Sequence, residues 1–111
     1  MTRYQIIYWR DVPTQVRVKA GRKRASLMLP QRFQQTMYRA AYRAKAINGE
    51  AYADNFRNSK WMEISAEMAG NTALDALAQS IARVIDVDHT DERLNKLALN
   101  KGYDINKRLL G

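Results

Sequence analysis

The side chains best suited to bind another molecule are basic, and they are concentrated in the first half of the chain. Residues 1–60 contain 13 Lys or Arg against 3 Asp or Glu, a net charge of +10, whereas residues 61–111 contain 6 against 8, a net charge of −2. A basic surface attracts anionic partners and speeds their encounter, whether these are nucleic acids, acidic proteins or lipid headgroups. The charge by itself does not choose among these three classes.

Eight basic residues are candidates for a site that binds an anion or a protein partner. Five of them surround Gly21, where a tight turn would place them at the tip of a hairpin. Arg10 follows an aromatic run, and its forked guanidinium could receive a carboxylate or phosphate at the rim of a sheet. Alternatively, Arg10 pairs with Asp11 or with nearby backbone and fixes a bend. The complete set is Arg10, Arg17, Lys19, Arg22, Lys23, Arg24, Arg39 and Arg43.

Residues suited to metal binding or catalysis are sparse. The chain has no cysteine and one histidine, His89, which excludes disulfides, zinc–thiolate sites, iron–sulfur ligation and histidine pairs. Residues 86–92 carry oxygen ligands that would suit a hard cation, namely Asp86, Asp88, Asp91 and Glu92. However, the glycine and twelve-residue spacing of a calcium loop are missing, and acids are also favoured where a helix begins.

Paired carboxylates, nucleophile motifs and phosphate loops are equally unsupported. Glu63 and Glu67 are four residues apart, roughly 13 Å along a strand, which is too far to share one proton. No serine lies in a nucleophile motif, and the sequence has no glycine-rich phosphate loop. We therefore expect no catalytic residue, no metal and no cofactor, and a domain that folds without metal.

Three short strands are predicted before Pro30. Residues 4–9 are almost all apolar, which is typical of a strand covered on both faces. Pro13 removes a backbone donor, so residues 10–13 favour a bend. After it, Val16, Val18 and Ala20 alternate with Gln15, Arg17 and Lys19, and the alternation resumes beyond Gly21 with Ala25, Leu27 and Leu29. This period predicts strands with one face in water.

A helix should begin at Pro30 and end near Gly49, followed by a short helical turn over residues 51–56. Its apolar stripe consists of Phe33, Met37, Ala40, Ala41, Ala44 and Ile47. Residues 61–68 then alternate as a strand with one wet side. The core side of that strand carries Met62, Ile64, Ala66 and Met68, and the wet side carries Trp61, Glu63, Ser65 and Glu67.

Two more helices complete the prediction. Apolar spacing over residues 74–85 predicts the first of them, with Thr72 and Asp75 in the form of a capping box. The second should begin at a cap supplied by Thr90 or Asp88 and end at Gly102. Across all of these elements, the predicted core includes Phe33, Met37, Ile64, Leu77 and Ile81.

The N-terminal half also resembles a known family. The order YxIxYWRDVPxQV, then the basic turn GRKR and LPQRF opening a helix, is similar to the virulence factor domain, a small domain related to a segment of conserved virulence factor C. The resemblance covers residues 3–56. In larger relatives the domain accompanies other modules, so the resemblance implies an accessory role, and it implies no catalytic residue.

Together these elements predict an α+β fold of order β-β-β-α-(α)-β-α-α, with helices packed on one face of a small antiparallel sheet. We expect residues 1–111 to form a single domain, in which residues 103–111 are a C-terminal tail that is either docked or frayed. No apolar run approaches the roughly 20 residues of a membrane span, and no secretory signal is visible. The cytoplasm is therefore the expected compartment.

Two function hypotheses follow from the basic half. The leading one is a non-catalytic accessory domain that docks an acidic protein partner. The alternative is nucleic-acid binding, with residues 17–24 on phosphates. Proteins that bind single strands interleave aromatic and basic side chains on an exposed sheet face, and the exposed face of the second strand has no aromatic residue. Arg39 and Arg43 belong to arginines spread around a helix, unlike those of a helix-turn-helix.

Overall fold

The sheet is built on the N-terminal meander that the strand alternation predicts. The computed structural model describes residues 1–110, the side chain of Leu110 excepted. In chain order the elements of these residues are β1 (Thr2–Trp9), β2 (Val12–Ala20), β3 (Lys23–Met28), α1 (Gln31–Arg43), α2 (Gly49–Ala53), β4 (Phe56–Asn58), β5 (Met62–Ile64), α3 (Ala66–Ala69), α4 (Leu74–Asp88), α5 (Asp91–Leu99) and α6 (Ile105–Leu110). The sheet is antiparallel, so the predicted α+β class is confirmed.

Strand β1 lies inside the sheet, as its apolar run predicts. Strand β2 pairs with one side of β1 and also with β3, while β4 and β5 pair with the other side of β1. Trp9 lies opposite Phe56 and Tyr4 lies opposite Met62, so the six residues 4–9 of β1 face the seven residues 56–62 of the edge strand. The extra residue lies between β4 and β5, where Ser59 exchanges hydrogen bonds of 2.9 Å with the backbone of Ile6. β4 and β5 are thus one edge strand interrupted by a bulge.

The prediction of a strand over residues 61–68 is wrong in its second half. Pairing ends at Ile64, and α3 begins two residues later. The hydroxyl of Ser65 accepts a hydrogen bond from the amide of Met68, and such capping competes with strand pairing for the same backbone group. Met68 is consequently exposed instead of belonging to the core, and Met62 is exposed as well.

Two helix boundaries also differ from the prediction. Helix α1 ends at Arg43 because Lys45 adopts a positive φ of 57° and the amide of Ala46 donates to the carbonyl of Ala41 over 2.9 Å. Ile47 therefore lies beyond the helix and is exposed. The predicted terminator, Gly49, is instead the first residue of α2.

Of the caps predicted for α4 and α5, the first is absent and the second is present. No side chain caps α4, whose N-cap residue is Ala73, so the predicted capping box with Thr72 is wrong. Thr90 caps α5 as predicted, because its hydroxyl accepts a hydrogen bond from the amide of Arg93. Helix α5 ends at Leu99, three residues before Gly102, which has a positive φ of 91°.

The core lies between β2 and helices α1, α4 and α5. Its largest buried side chains include Trp9, Val12, Val16, Val18, Phe33, Met37, Leu77, Leu94 and Leu97. Of the five predicted core residues, Phe33, Met37 and Leu77 are buried, whereas Ile64 and Ile81 are half-buried against the same cluster. Val16 and Val18 face the helices, so Arg17 and Lys19 project from the opposite face of the sheet.

Candidate functional site

Five of the eight predicted anion-binding residues lie on the β2–β3 hairpin. Ala20 pairs with Lys23, so Gly21 and Arg22 form a two-residue turn, and Gly21 supplies the positive φ of 59° that its first position requires. Across residues 1–110, none of the five forms an ion pair with an acidic side chain. These five are Arg17, Lys19, Arg22, Lys23 and Arg24. Their charge is therefore available to a partner.

Strand pairing gathers part of this charge on one face of the sheet. Residues directly opposite one another on adjacent strands share a face, and Lys19 lies opposite Arg24 on β3 while Arg17 lies opposite Ser26. The same register continues to β1, where Arg3 is opposite Lys19. We call this surface the basic sheet face and define it by Arg17, Lys19, Arg24, Ser26 and Trp61.

Trp61 reaches this face from the far side of β1. The Nζ atom of Lys19 lies 4.0 Å from the centroid of the Trp61 ring, in a cation–π contact. Because β1 separates β2 from the edge strand, this contact crosses β1. Trp61 is half-buried and lines, with Arg17, Arg24 and Ser26, a cleft of about 290 Å³. The sequence placed Trp61 on the wet side of its strand but did not reveal that this strand lies beside β1.

Arg39 and Arg43 are on α1, which follows the end of β3 that is remote from the hairpin turn. They flank a shallow cleft of about 410 Å³. We call this second region the helix surface and define it by Tyr38, Arg39, Tyr42, Arg43 and Ile47. The two tyrosines are 52% and 74% exposed, respectively. The guanidinium of Arg39 donates a hydrogen bond of 2.8 Å to Oδ1 of Asn95 on α5. Seven of the eight basic candidates are thus divided between the β2–β3 hairpin and the helix surface.

A row of neighbouring aromatic rings connects the helix surface to the core. Tyr38 lies almost parallel to Tyr52, with ring centroids 6.5 Å apart, and Tyr52 lies 6.4 Å from Trp9. Trp9 is fully buried, and its Nε1 donates a hydrogen bond of 2.9 Å to the carbonyl of Tyr52. The exposed ring of Tyr38 therefore packs against a half-buried tyrosine that itself contacts the buried Trp9.

Arg10 is separate from both surfaces. Its backbone has a positive φ of 53°, and its guanidinium donates hydrogen bonds of 2.9 Å to Oδ1 of Asn55 and to the carbonyl of Lys101. The guanidinium carbon also lies over the rings of Trp9, at 5.0 Å, and Tyr103, at 4.6 Å. These hydrogen-bond partners are distant in the sequence and differ from the pairing with Asp11 and from the bonds to adjacent backbone that the sequence suggested. Anion binding by Arg10 stays a prediction.

Asp11 does not pair with Arg10 but joins the bend to the C-terminal helix. Its buried carboxylate accepts hydrogen bonds from the guanidinium of Arg57 at 3.1 Å and from the amide of Asp104 at 2.7 Å, and it pairs with Arg108 at 3.3 Å. Burial would raise the pKa of Asp11, but these hydrogen bonds and the charge of Arg108 outweigh it and hold the pKa below its usual value. The described part of the C-terminal tail is therefore docked, while Gly111 lies outside the described residues.

The acids of residues 86–92 are mostly engaged with arginines. Arg32 pairs with Asp86 at 2.7 Å and with Asp91 at 3.0 Å, and Arg93 pairs with Asp88 at 2.7 Å. Burial lowers the pKa of His89, against the opposing effect of a hydrogen bond between its Nδ1 and the Ile85 carbonyl. Within residues 1–110, no three His, Asp or Glu side chains are grouped so that they could hold a metal ion.

In the part of the chain that the structure describes, no helix combines the length and apolarity needed to cross a bilayer. Comparison with curated proteins and with solved structures finds no significant match.

A family comparison, in contrast, covers most of the chain. The family model described as virulence factor matches residues 7–98, which extend from β1 into α5. This match goes well past the resemblance of residues 3–56, and it includes the hairpin, Trp61 and the helix surface. The chain belongs to the virulence factor family.

Proposed function

We propose that this chain is a non-catalytic accessory domain that docks an acidic protein partner through the helix surface. The observation that carries the proposal is the exposure of Tyr38 and Tyr42 beside Arg39 and Arg43, on a helix whose sequence contains no acidic residue. Tyrosine and arginine are enriched among the residues that dominate binding energy at protein interfaces. Exposed aromatic surface bordered by charge is also a common mark of an interaction site.

The partner should combine carboxylates with an apolar side chain. Its apolar group would enter the cleft between the two tyrosines and Ile47, and its carboxylates would receive paired hydrogen bonds from the arginine guanidiniums. Tyr38 is already held against Tyr52. Because a side chain that is ordered before binding loses less conformational entropy, this support favours tight binding.

The hairpin has a different role in the same proposal. Its exposed charges lie outside the helix surface and raise the rate at which an acidic partner arrives, as charges at an interface rim commonly do. A triple substitution of Arg22, Lys23 and Arg24 by alanine should therefore slow association and change dissociation little. The cytoplasm is the compartment in which we expect this encounter.

The test is affinity capture from the native host with the wild type, the double variant Tyr42→Ala, Arg43→Ala and a control, Val87→Ala. Val87 is an exposed apolar residue on α4, outside the helix surface. A partner is accepted only if the double variant loses it and the control retains it. We expect the accepted protein to be acidic, and Tyr42→Ala alone to weaken the purified complex by about 2 kcal/mol, roughly 30-fold.

The proposal fails if no captured protein distinguishes the double variant from the control. It also fails if the accepted partner is neutral or basic. Circular dichroism of each variant before capture establishes that the loss of binding is not a loss of folding. Exposed surface substitutions of this kind usually change stability by no more than about 0.5 kcal/mol.

A further inference from the structure

We infer that the basic sheet face binds single-stranded nucleic acid, with one base stacked on Trp61 and the phosphates on Arg17, Lys19 and Arg24. This inference goes beyond the docking function and does not rest on it, because its residues are on the sheet and not on α1; Arg24 alone also belongs to the hairpin charges that the docking proposal uses. The surface combines the two features that single-strand binders share, a basic groove and an aromatic platform. The sequence suggested only the first of these.

The contact between Lys19 and Trp61 shows how a base enters. The ammonium group lies over the ring, at 4.0 Å from its centroid, so that face of the ring is covered by the end of a flexible lysine side chain and not by the packed core. Both side chains are half-buried, and a cation–π contact that solvent still reaches is weaker than a fully desolvated one. A nucleobase, which presents a much larger flat surface, displaces the ammonium group, and Lys19 then reaches the adjacent phosphate.

The positions of the other cations suit a phosphodiester backbone. Arg17 and Lys19 are two residues apart on β2, roughly 7 Å along the strand, and Arg24 lies opposite Lys19 on β3. Arg17 and Arg24 also line the cleft beside Trp61. On the neighbouring strand β5, the carboxylate of Glu63 pairs with Arg3, with 3.7 Å between Oε1 and Nη2. Its charge is thereby offset at the margin of the surface.

The geometry favours an unpaired strand over other anions. A base in a duplex is already stacked on both sides and cannot place its flat surface on Trp61 without leaving the helix. The cleft of about 290 Å³ is at the lower end of the size of small-molecule clefts, roughly 300–1,000 Å³, which suits one nucleotide at a time. An acidic protein would use the cations but has no base to stack on the ring.

Intrinsic fluorescence offers a direct test, because the chain has two tryptophans and Trp9 is fully buried. A single-stranded oligothymidylate of about 12 nucleotides, within the site sizes of single-strand-binding folds, should quench the fluorescence of Trp61. We expect Trp61→Ala to weaken binding of the labelled oligonucleotide by roughly 5- to 150-fold, the range measured for one stacked base. Trp61→Phe keeps a stacking surface and should retain most of the affinity.

Further variants and a salt titration distinguish base stacking from simple charge attraction. Arg17→Ala, Arg24→Ala should weaken binding without changing the fold, since both side chains are exposed. For about three neutralised phosphates, the logarithm of the affinity should fall with the logarithm of salt concentration with a slope near −2. Tyr42→Ala, on the helix surface, should leave the oligonucleotide affinity unchanged.

Four results would overturn the inference. The first is a wild type that binds no single strand below about 100 μM at near-physiological salt, where non-specific binders typically reach 1–100 μM. The second is equal affinity for duplex and single strand with no loss in Trp61→Ala, which would indicate charge attraction alone. The third is unchanged affinity in Arg17→Ala, Arg24→Ala. The fourth is quenching of Trp61 by polyglutamate at the same concentrations, which would assign the surface to an acidic protein.

Discussion

Replacing Gly102 by alanine should destabilise the fold strongly, for two reasons that can be measured separately. The glycine has a φ of 91°, in the left-handed region that L residues avoid. An added Cβ would also lie 3.0 Å from Cζ3 of Trp9 and 3.3 Å from Cβ of Arg10. Trp9 cannot move away easily, because it is fully buried and its Nε1 is bonded to the carbonyl of Tyr52.

Each reason has a characteristic magnitude. The left-handed backbone costs a non-glycine residue about 1–2 kcal/mol, and forcing extra atoms into a packed core costs about 1–3 kcal/mol. The free energy of unfolding of Gly102→Ala should therefore fall by about 2–5 kcal/mol. Gly21→Ala is the matched control, because Gly21 also has a positive φ, 59°, but no atom lies within 4 Å of its added Cβ. Only the backbone cost should apply there.

Urea denaturation monitored by circular dichroism measures both variants against the wild type. We expect Gly102→Ala to lose about 1–3 kcal/mol more than Gly21→Ala, the part due to the contact with Trp9. If the two variants are equally stable, the loop that carries Gly102 adjusts without cost. In that case Gly102 is not held against the core as the structure places it, and our reasoning about this contact is refuted.

Three further predictions concern the core and the response to pH. Leu77→Ala should lower the free energy of unfolding by about 2–5 kcal/mol, because Leu77 is buried in the core. The control Val87→Ala, on the exposed side of the same helix, should change it by less than about 0.5 kcal/mol. Similar losses in the two variants would mean that the buried stripe of α4 is misplaced. The lowered pKa of Asp11 means that its charged form stabilises the fold above about pH 4, and this stabilisation is lost as the pH falls through the folded-state pKa. The lowered pKa of His89 likewise makes stability decline below about pH 6.5, since the unfolded chain binds that proton more readily. Thermal unfolding between pH 2 and pH 8 should show a smaller acid loss in Asp11→Asn and a smaller loss near pH 6 in His89→Gln, and unchanged profiles would contradict these assignments.

The local order of the chain could be predicted because it depends on neighbours in the sequence. The alternation of Val16 and Val18 with Arg17 and Lys19 reports which face of β2 meets the core, wherever that strand lies in the sheet. The apolar spacing around Phe33 does the same for α1. The predicted strand over residues 61–68 was wrong after Ile64 because the Ser65 cap supplied a competing local bond for the backbone.

The apolar spacing could not predict the early end of α1. The helix closes where Lys45 takes a left-handed conformation, which the sequence would have indicated only if a glycine or asparagine stood there. The three-residue strand β4 was missed for a related reason. Its residues are exposed, and it is stabilised mainly by pairing with the distant β1.

The sequence by itself determined the basic character of the first half, the sheet-and-helix class and the polar side of each strand. Only the tertiary structure decided which polar sides meet. Lys19 and Trp61 are 42 residues apart, and they come into contact because β2 and β5, the strand that follows Trp61, both pair with β1. Likewise, Asp11 binds Arg57 and Arg108 instead of its neighbour Arg10. Pairings of this kind depend on which distant segments the hydrophobic core brings together, and local periodicity carries no information about that choice.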